Sequence, residues 1–209
     1  MESLIENIKV SGVLKNPEII DAFKRVDRKF FVPEDLKEHT YIDKPLPIGK
    51  NQTISQPTTV AFMLELLSPK KGDRILDIGS GSGWTTALLC HIVTKSGSVL
   101  GLERVDELVK IGQKNLSQFN IGEYCSIIKA GNELGMPGNI YDKILVSASA
   151  EDIPRILFEQ LKIGGTLVVP IRNSIFRFIK ISEDKIRQEE FPGFVFVPLI
   201  VNKKMRSKL

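Results

Sequence analysis

The chain has 209 residues, of which 42% are hydrophobic and 26% are charged, close to the average usage of soluble globular domains. That balance excludes a disordered chain, a collagen-like fibre and a low-complexity linker. Lysine and arginine (29) exceed aspartate and glutamate (25) only slightly, and four of the basic residues crowd positions 203–209. We interpret this excess as a solvated tail rather than a nucleic-acid footprint.

No stretch of the sequence is apolar for long enough to span a membrane. The longest uninterrupted apolar run, residues 60–64, has five residues, whereas a spanning helix needs about 20. The N-terminus lacks the basic start and apolar core of a secretory signal. Cys90 lies in an apolar stretch, so we expect a buried free thiol, and no Cys/His spacing suggests a zinc site. These features predict a cytoplasmic protein without membrane contact or a metal centre.

Residues 1–71 are predicted to form a mixed helical and loop extension. A helix is expected over residues 16–26, and prolines at 33, 45 and 47 then mark a loop-rich stretch. A second helix should begin near Pro57, because proline is favoured at the first helical position and an apolar stripe follows it.

From residue 72 onward, short apolar strands alternate with helices. The predicted strands are residues 74–78, 98–102, 125–129, 143–147, 166–170, 176–181 and 194–199, and the predicted helices are residues 84–94, 106–119 and 153–161. This alternation is typical of an α/β fold with a mostly parallel sheet of about seven strands and helices on both faces. The last two strands lack a helix-length connection, so we expect them to form an antiparallel hairpin.

The run from Asp77 to Gly83 follows the first strand of this region, contains three glycines and opens a helix. Ligands of such sheets bind beyond the carboxyl ends of the strands. The run has no lysine for a nucleoside triphosphate, and its spacing does not fit the dinucleotide fingerprint. An aspartate at the strand end suits a cationic ligand, and loop N–H groups suit a carboxylate. Both are present in S-adenosylmethionine, which the sequence therefore favours over a pyrophosphate.

Glu103 ends the next predicted strand, 26 residues after Asp77. A carboxylate at the end of this strand can accept hydrogen bonds from both hydroxyls of a ribose. We therefore expect Glu103 to hold the ribose of the same ligand.

Five segments outside the glycine loop carry a more specific signal: residues 28–33 (RKFFVP), 41–49 (YIDKPLPIG), 52–57 (QTISQP), 160–170 (QLKIGGTLVVP) and 196–199 (FVPL). In these segments the chain closely resembles one family, the protein-L-isoaspartate(D-aspartate) O-methyltransferases, and the resemblance covers roughly residues 16–200. It implies a Rossmann-like class I methyltransferase core over residues 72–209, with residues 1–71 on the substrate side and one compact domain overall.

The resemblance also implies an activity. Enzymes of this family methylate the free α-carboxylate of L-isoaspartyl and D-aspartyl residues in damaged proteins, and the ester then closes to a succinimide whose hydrolysis partly restores normal aspartate. The implied cofactor is S-adenosyl-L-methionine, with S-adenosyl-L-homocysteine as product and no metal. The implied partners are damaged peptides and proteins, with neither nucleic acid nor membrane, and we expect a monomer.

The resemblance places Ser55 beside the reaction, where its hydroxyl can donate a hydrogen bond to the substrate carboxylate. That carboxylate is ionised at neutral pH, so no general base is needed. A plain alternative is that Ser55 caps the helix at Pro57. The residues that we assign to the cofactor are Thr53, Ile54, Ser55, Asp77, Gly79, Gly81, Glu103, Arg104, Asn132 and Glu133.

Residues 131–133 depart from the family pattern, which is usually Gly-Asp-Gly, because this chain has Gly-Asn-Glu. The Asn132 carbonyl oxygen can still accept a hydrogen bond from the adenine amine but loses the charge assistance. Glu133 brings a side chain to a position where the family has none. Residues 58–60 also lack the histidines of some members, and residues 171–173 lack a common glycine.

Two other functions stay open on the sequence alone. A class I methyltransferase acting on RNA or a small molecule would share the glycine loop and Glu103. Residues 146–150 contain no aromatic side chain, which disfavours chemistry on an exocyclic amine. A non-catalytic adaptor that kept the fold is the second possibility, and the change at residues 132–133 is its only support.

Overall fold

The structure is a computed structural model that describes residues 1–119 and 121–200. The predicted basic tail lies outside the described residues. The chain begins with helices α1 (Glu2–Val10), which the sequence did not predict, and α2 (Pro17–Arg25). The Asn16 side chain accepts hydrogen bonds from the N–H groups of the second and third residues of α2. This cap, together with the proline at the first position, explains why α2 begins where the sequence predicted it.

The loop-rich stretch contains two short 3-10 helices, Arg28–Phe31 and Glu34–His39, and a small antiparallel hairpin. The hairpin strands are β1 (Leu46–Gly49) and β2 (Gln52–Ile54). Lys50 and Asn51 between them both have positive φ, as the tightest hairpin turns require. Helix α3 (Pro57–Leu67) then begins at the predicted proline.

The main sheet has seven strands in the order β5-β4-β3-β6-β7-β8-β9, of which the first five are parallel and the last two antiparallel. Its elements are β3 (Arg74–Ile78), α4 (Trp84–Val93), β4 (Ser98–Glu103), α5 (Asp106–Leu116), β5 (Cys125–Lys129), β6 (Tyr141–Val146), β7 (Leu161–Ile171), β8 (Ser174–Lys180) and β9 (Ile186–Pro192). The predicted seven-stranded, mostly parallel sheet is confirmed. Because the strand order reverses between β3 and β6, the carboxyl ends of these strands flank the crevice where such folds bind ligands.

Alternate residues of the strands pack into two hydrophobic layers. One face, with Ile75, Leu145 and Val168, packs with residues from all five α-helices. The other face, with Leu76 and Leu167, is covered in the described part of the chain by residues 134–136 and 150–158 rather than by an α-helix. The sheet is thus buried on both sides, but the second cover is loop and 3-10 structure.

The prediction of a helix over residues 153–161 is wrong. Only Arg155–Leu157 form a 3-10 helix, and the chain enters β7 at Leu161. Gln160 is buried, and its side chain donates a hydrogen bond to the Leu134 carbonyl (2.9 Å) and accepts one from the Met136 N–H (2.7 Å). These inward bonds hold Gln160 against a neighbouring loop instead of on a helix surface.

The antiparallel hairpin at the sheet edge is confirmed, but its second strand is β9, so the strand predicted over residues 194–199 is wrong. Gly193 has a positive φ (+97°) and follows directly after β9. Residues 194–199 cross above the strand ends, where Ser149 exchanges backbone hydrogen bonds with Val197 (2.8 Å) and Leu199 (2.7 Å). Apolar residues of this segment line cavities instead of pairing in the sheet.

The prediction of a free Cys90 thiol is also wrong, because Cys90 of α4 and Cys125 of β5 form a disulfide. The two cysteines are 35 residues apart in sequence, and their Cα atoms come within 6.1 Å where α4 packs over β5. The expectation of a cytoplasmic protein loses the support that it drew from free thiols. No helix in the described part of the chain is long and apolar enough to cross a membrane.

Candidate active site

The glycine loop joins β3 to α4 at the switch point of the sheet. Gly79, Gly81 and Gly83 all have positive φ (+84°, +54° and +94°), which favours glycine. At Gly83 a side chain would also meet the Ile127 side chain at 3.0 Å and the Gly112 backbone at 3.2 Å. The loop therefore needs these glycines both for its backbone turns and for the close approach of α5.

The loop N–H groups are largely used by the chain itself. Those of Gly79 and Ser80 donate to the Leu102 carbonyl at 2.8 and 3.1 Å, and that of Gly81 donates to Glu103 Oε2 at 3.0 Å. The expectation that the loop offers these N–H groups to a ligand carboxylate is therefore wrong at these three positions. Their bonds instead tie the loop to the end of β4.

Asp77 lies completely buried beneath the glycine loop. Its Oδ2 accepts a hydrogen bond from the Thr86 hydroxyl (2.6 Å), whereas its Oδ1 and the buried Ser80 hydroxyl have no partner among the described residues. Burial raises the pKa of Asp77 to about 7, which Thr86 opposes and the nearby Glu103 charge reinforces. A cation above the loop would favour the ionised carboxylate, so this environment suits a positively charged ligand.

A first cavity, which we call the strand-end cavity, opens at the carboxyl ends of β3, β4 and β5 and has a volume of about 320 Å³. Its walls include Gly79, Glu103, Arg104, Lys129, Asn132, Glu133, Leu134, Ala148, Pro198 and Leu199. Glu103 Oε1 accepts a hydrogen bond from the Val105 N–H (2.9 Å), and each of its oxygens keeps a further lone pair for a ligand hydroxyl. The lining of the cavity thus combines acidic, basic and apolar side chains.

A second cavity, which we call the loop cavity, has a volume of about 280 Å³. It is lined by Pro45, Thr53, Ser55, Gln56, Thr59, Ser147, Val195, Phe196 and Val197. None of these side chains is ionisable, and three of the hydroxyl-bearing ones, Thr53, Ser55 and Thr59, come from the N-terminal extension. The loop cavity therefore has an uncharged lining, whose hydroxyl groups can donate hydrogen bonds to a polar substrate group.

The two cavities lie side by side. Ser147 lines the loop cavity and Ala148 lines the strand-end cavity, and the chain from residue 195 to 200 runs along both. The Ser147 N–H donates to the Ile78 carbonyl (2.8 Å), which brings Ser147 against Gly79 of the strand-end cavity. Gly81 in turn lies close to Ile48 of β1, since a side chain built at Gly81 would meet Ile48 at 3.2 Å. The N-terminal extension therefore packs directly against the glycine loop.

The helix-capping alternative for Ser55 is wrong, because Asp43 caps α3 instead. Asp43 Oδ1 accepts a hydrogen bond from the Thr58 N–H (2.9 Å), and its Oδ2 accepts from the Thr58 hydroxyl (2.7 Å) and the Gln56 amide (3.1 Å). Among the described residues, none forms a hydrogen bond with the Ser55 hydroxyl. The Ser55 hydroxyl is therefore available, as far as the described residues go, to a ligand in the loop cavity that it lines.

The structure separates the residues that we assigned to one cofactor site. Gly79, Glu103, Arg104, Asn132 and Glu133 line the strand-end cavity, whereas Thr53 and Ser55 line the loop cavity. The Ile54 side chain is buried in the core, and Asp77 and Gly81 lie behind the strand-end wall rather than in its lining.

Sequence reasoning missed Lys129, Ser147 and the segment 195–200. Lys129 ends a correctly predicted strand, so the rule that ligands lie beyond parallel strand ends could have identified it. Ser147 directly follows β6, so the same rule could have identified it.

The sheet order, the glycine loop and the acidic residues at two neighbouring strand ends define the class of this protein, a Rossmann-like S-adenosylmethionine-dependent methyltransferase. The residues fit such a cofactor. Buried Asp77 has an oxygen without a partner among the described residues, Glu103 is the last residue of β4, and the adjoining cavity has the volume of a small-molecule site. In the described part of the chain, no group of three or more His, Cys, Asp or Glu side chains could hold a metal ion.

The chain belongs to the protein-L-isoaspartate(D-aspartate) O-methyltransferase family, whose sequence model matches residues 1–204. It is 38% identical over 204 residues to the protein-L-isoaspartate O-methyltransferase of Methanopyrus kandleri, with 95% of this chain and 90% of the relative covered. It is 41% identical over 199 residues to that of Fervidobacterium nodosum, with 94% and 99% covered.

Solved structures agree. A Plasmodium falciparum protein-L-isoaspartate O-methyltransferase in complex with S-adenosyl-L-homocysteine superposes with a TM-score of 0.84 at 29% identity, covering 96% of this chain and 98% of that one. The protein is accordingly a repair methyltransferase that transfers a methyl group from S-adenosylmethionine to isoaspartyl residues of damaged proteins.

Proposed function

We propose that the strand-end cavity holds S-adenosylmethionine and that the loop cavity receives the α-carboxylate of the isoaspartyl residue. The observation that carries this assignment is the contrast between two adjoining cavities, one with charged walls and one with neutral walls. Glu103 would accept the ribose hydroxyls, Asn132 the adenine amine, and Asp77 a positive charge of the cofactor from beneath the loop. Glu133 and Arg104 complete the rim of the same cavity.

The cofactor supplies an electrophilic methyl group bound to a sulfonium. The chain's own contribution is to bring the substrate carboxylate to it in line and to keep it there. The substrate carboxylate is already ionised at neutral pH, so the loop cavity needs no base, and its lining contains none. The rate gain would come from proximity and alignment.

Ser55 would donate its free hydroxyl to one oxygen of the substrate carboxylate, which fixes the angle at which the other oxygen attacks. Thr53 and Thr59 stand on the same wall and can bind the peptide next to the reacting group. The described residues that line this cavity include no acidic side chain that would repel the incoming carboxylate.

A labelled-methyl assay on matched peptides tests the proposal. Two peptides of the same sequence, one with L-isoaspartate and one with ordinary aspartate, are incubated with the enzyme and labelled S-adenosylmethionine. Label in the isoaspartyl peptide alone is the expected result. Equal labelling of both peptides, or labelling of an RNA pool instead, would overturn it.

The division into a substrate-side extension, residues 1–71, and a cofactor-binding core, residues 72–209, is part of the same proposal. It is supported by the origin of Thr53, Ser55 and Thr59 in the extension and of Glu103 and Asn132 in the core. A monomeric state, a cytoplasmic location and the lack of nucleic-acid or membrane partners stay predictions from the sequence.

A further inference from the structure

Arg28 is a completely buried cation at the centre of the N-terminal extension. Its guanidinium donates hydrogen bonds to the carbonyl groups of Thr40 (2.7 Å), Lys44 (3.0 Å) and Ser55 (3.0 Å), with longer contacts to those of Ile42 (3.4 Å) and Ile54 (3.5 Å). All five acceptors are backbone groups from residues 40–55. One side chain therefore holds together the whole segment that leads to Ser55.

Burial of a charge in a protein core is costly, and a well-packed apolar side chain is often as stabilising. Arg28 keeps its charge at neutral pH, because burial lowers its pKa only to about 10 and the nearby Asp43 carboxylate opposes that shift. The planar fork of guanidinium donors meets several carbonyls at fixed angles, as an ammonium or an apolar side chain does not. The arrangement thus specifies a geometry in addition to filling space.

The same guanidinium also reaches the cofactor side of the molecule. It lies over the ring of Trp84, with its central carbon 5.4 Å from the ring centroid. Trp84 is the first residue of α4, directly after Gly83 of the glycine loop. Arg28 therefore contacts both the backbone of Ser55 and the residue that directly follows the glycine loop.

We propose that Arg28 is a positioning residue for methyl transfer, which sets Ser55 and the wall of the loop cavity relative to the glycine loop through its bonds to backbone carbonyls. The inference rests on the proposed roles of the two cavities. Arg28 touches neither the substrate nor the cofactor, and it acts by keeping the acceptor wall at the right distance from the donor. Its loss should impair transfer to the peptide and spare binding of the cofactor.

Arg28→Met and Arg28→Lys test this proposal against a matched control, Lys180→Met. Lys180 is also a buried cation that donates to a carbonyl, that of Phe158, but it lies outside both cavities. We expect Arg28→Met to lower kcat/KM for the isoaspartyl peptide by about 100-fold, the loss typical of a misplacement of about 1 Å. The dissociation constant for S-adenosylhomocysteine, measured by calorimetry, should stay within about twofold, and Lys180→Met should change neither quantity beyond about twofold.

Arg28→Lys keeps the test decisive if the methionine variant does not fold. An ammonium has three donors without the planar fork, so we expect an intermediate loss of about tenfold with cofactor affinity unchanged. Amide hydrogen exchange supplies a readout that does not depend on turnover: residues 40–55 should exchange faster in Arg28→Lys, and residues 98–103 should not.

Two results would assign Arg28 a merely structural role. One is a loss of cofactor affinity as large as the loss of turnover in the Arg28 variants. The other is the same loss of kcat/KM in Lys180→Met at equal thermal stability. Inactivity of the wild-type enzyme on the isoaspartyl peptide would overturn the proposed function instead. In that case unchanged exchange at residues 40–55 in Arg28→Lys would overturn the positioning role independently.

Discussion

The two cavities differ in how the chain builds them. The strand-end cavity takes its shape from the parallel sheet, because β3, β4 and β5 end at the same edge and the residues after each strand converge there. The loop cavity takes its hydroxyl wall from residues 53–59, where hairpin strand β2 passes into helix α3, and the backbone there is held by buried Arg28 and by Asp43. One site follows from strand topology, and the other depends on a few long-range hydrogen bonds to loop atoms.

The difference also separates the chemistry of the two sites. Charged side chains surround the first cavity, whereas the lining of the second is neutral. Substitutions at the strand ends should therefore change cofactor affinity, and substitutions on the loop wall should change peptide turnover.

The largest expected effect belongs to Glu103→Gln. The amide replaces one acceptor oxygen by a donor, so the Gly81 or Val105 N–H loses its partner and the ribose loses a charged acceptor. Loss of about 3 kcal/mol corresponds to a rise of about 100-fold in the dissociation constant for S-adenosylhomocysteine. Calorimetry measures it, with Glu107→Gln, at an exposed position in the first turn of α5, as the control. A rise of less than about threefold would remove Glu103 from the cofactor site.

Ser55→Ala should lower kcat/KM for the isoaspartyl peptide by about 30-fold, because one hydrogen bond to a charged carboxylate contributes about 2 kcal/mol. Cofactor affinity should not change, since Ser55 lines the other cavity. Steady-state kinetics and calorimetry on the same preparation check both halves. Ser117→Ala, an exposed serine after α5, serves as control. If cofactor affinity fell as much as turnover, the separation of the two cavities would be lost.

Asp77 predicts opposite effects of pH on cofactor binding and on stability. Its pKa of about 7 means that lowering the pH from 8 to 6 protonates it, so cofactor affinity should fall by about tenfold. In the unbound protein the folded state holds this proton more tightly than the unfolded chain. The contribution of Asp77 to the free energy of unfolding therefore falls as pH rises from about 4 to 7.

Calorimetry from pH 6 to 8 and urea unfolding over the acidic range measure these two effects. Asp77→Asn should flatten both profiles. An affinity profile of Asp77→Asn that still follows the wild-type slope would assign the titration to another group.

The smallest expected effect is a gain. Asn132→Asp restores the residue that the family usually has, and a charge-assisted hydrogen bond is roughly twice as strong as a neutral one. We expect S-adenosylhomocysteine to bind about fourfold more tightly, with Asn7→Asp on α1 as a distant control. Weaker binding would mean that Glu133 has changed the charge balance at this edge of the cavity.

Local sequence signals were sufficient for much of the fold and for the position of Glu103 at a strand end. Asn16 and Pro17 located α2, and Pro57 located α3, because capping and proline geometry act within a few residues. Strand 74–78 was predicted at its observed bounds. Glu103 was assigned correctly to the carboxyl end of its strand, because parallel strands must end at a common edge.

Long-range contacts decided the rest. The pairing of Cys90 with Cys125, the inward bonds of Gln160 and the crossing of residues 194–199 above the strand ends all join segments far apart in the chain. Residue type does not reveal such partners: a buried arginine, glutamine or cysteine satisfies its side chain with whichever groups the packed sheet and helices bring to it. The sequence by itself indicated the glycine loop and the strand-end carboxylates that we propose for the methyl donor, because these signals are local. The tertiary structure decided how Arg28 and Asp43 hold the wall of the adjoining loop cavity, because their partners lie far away in the chain.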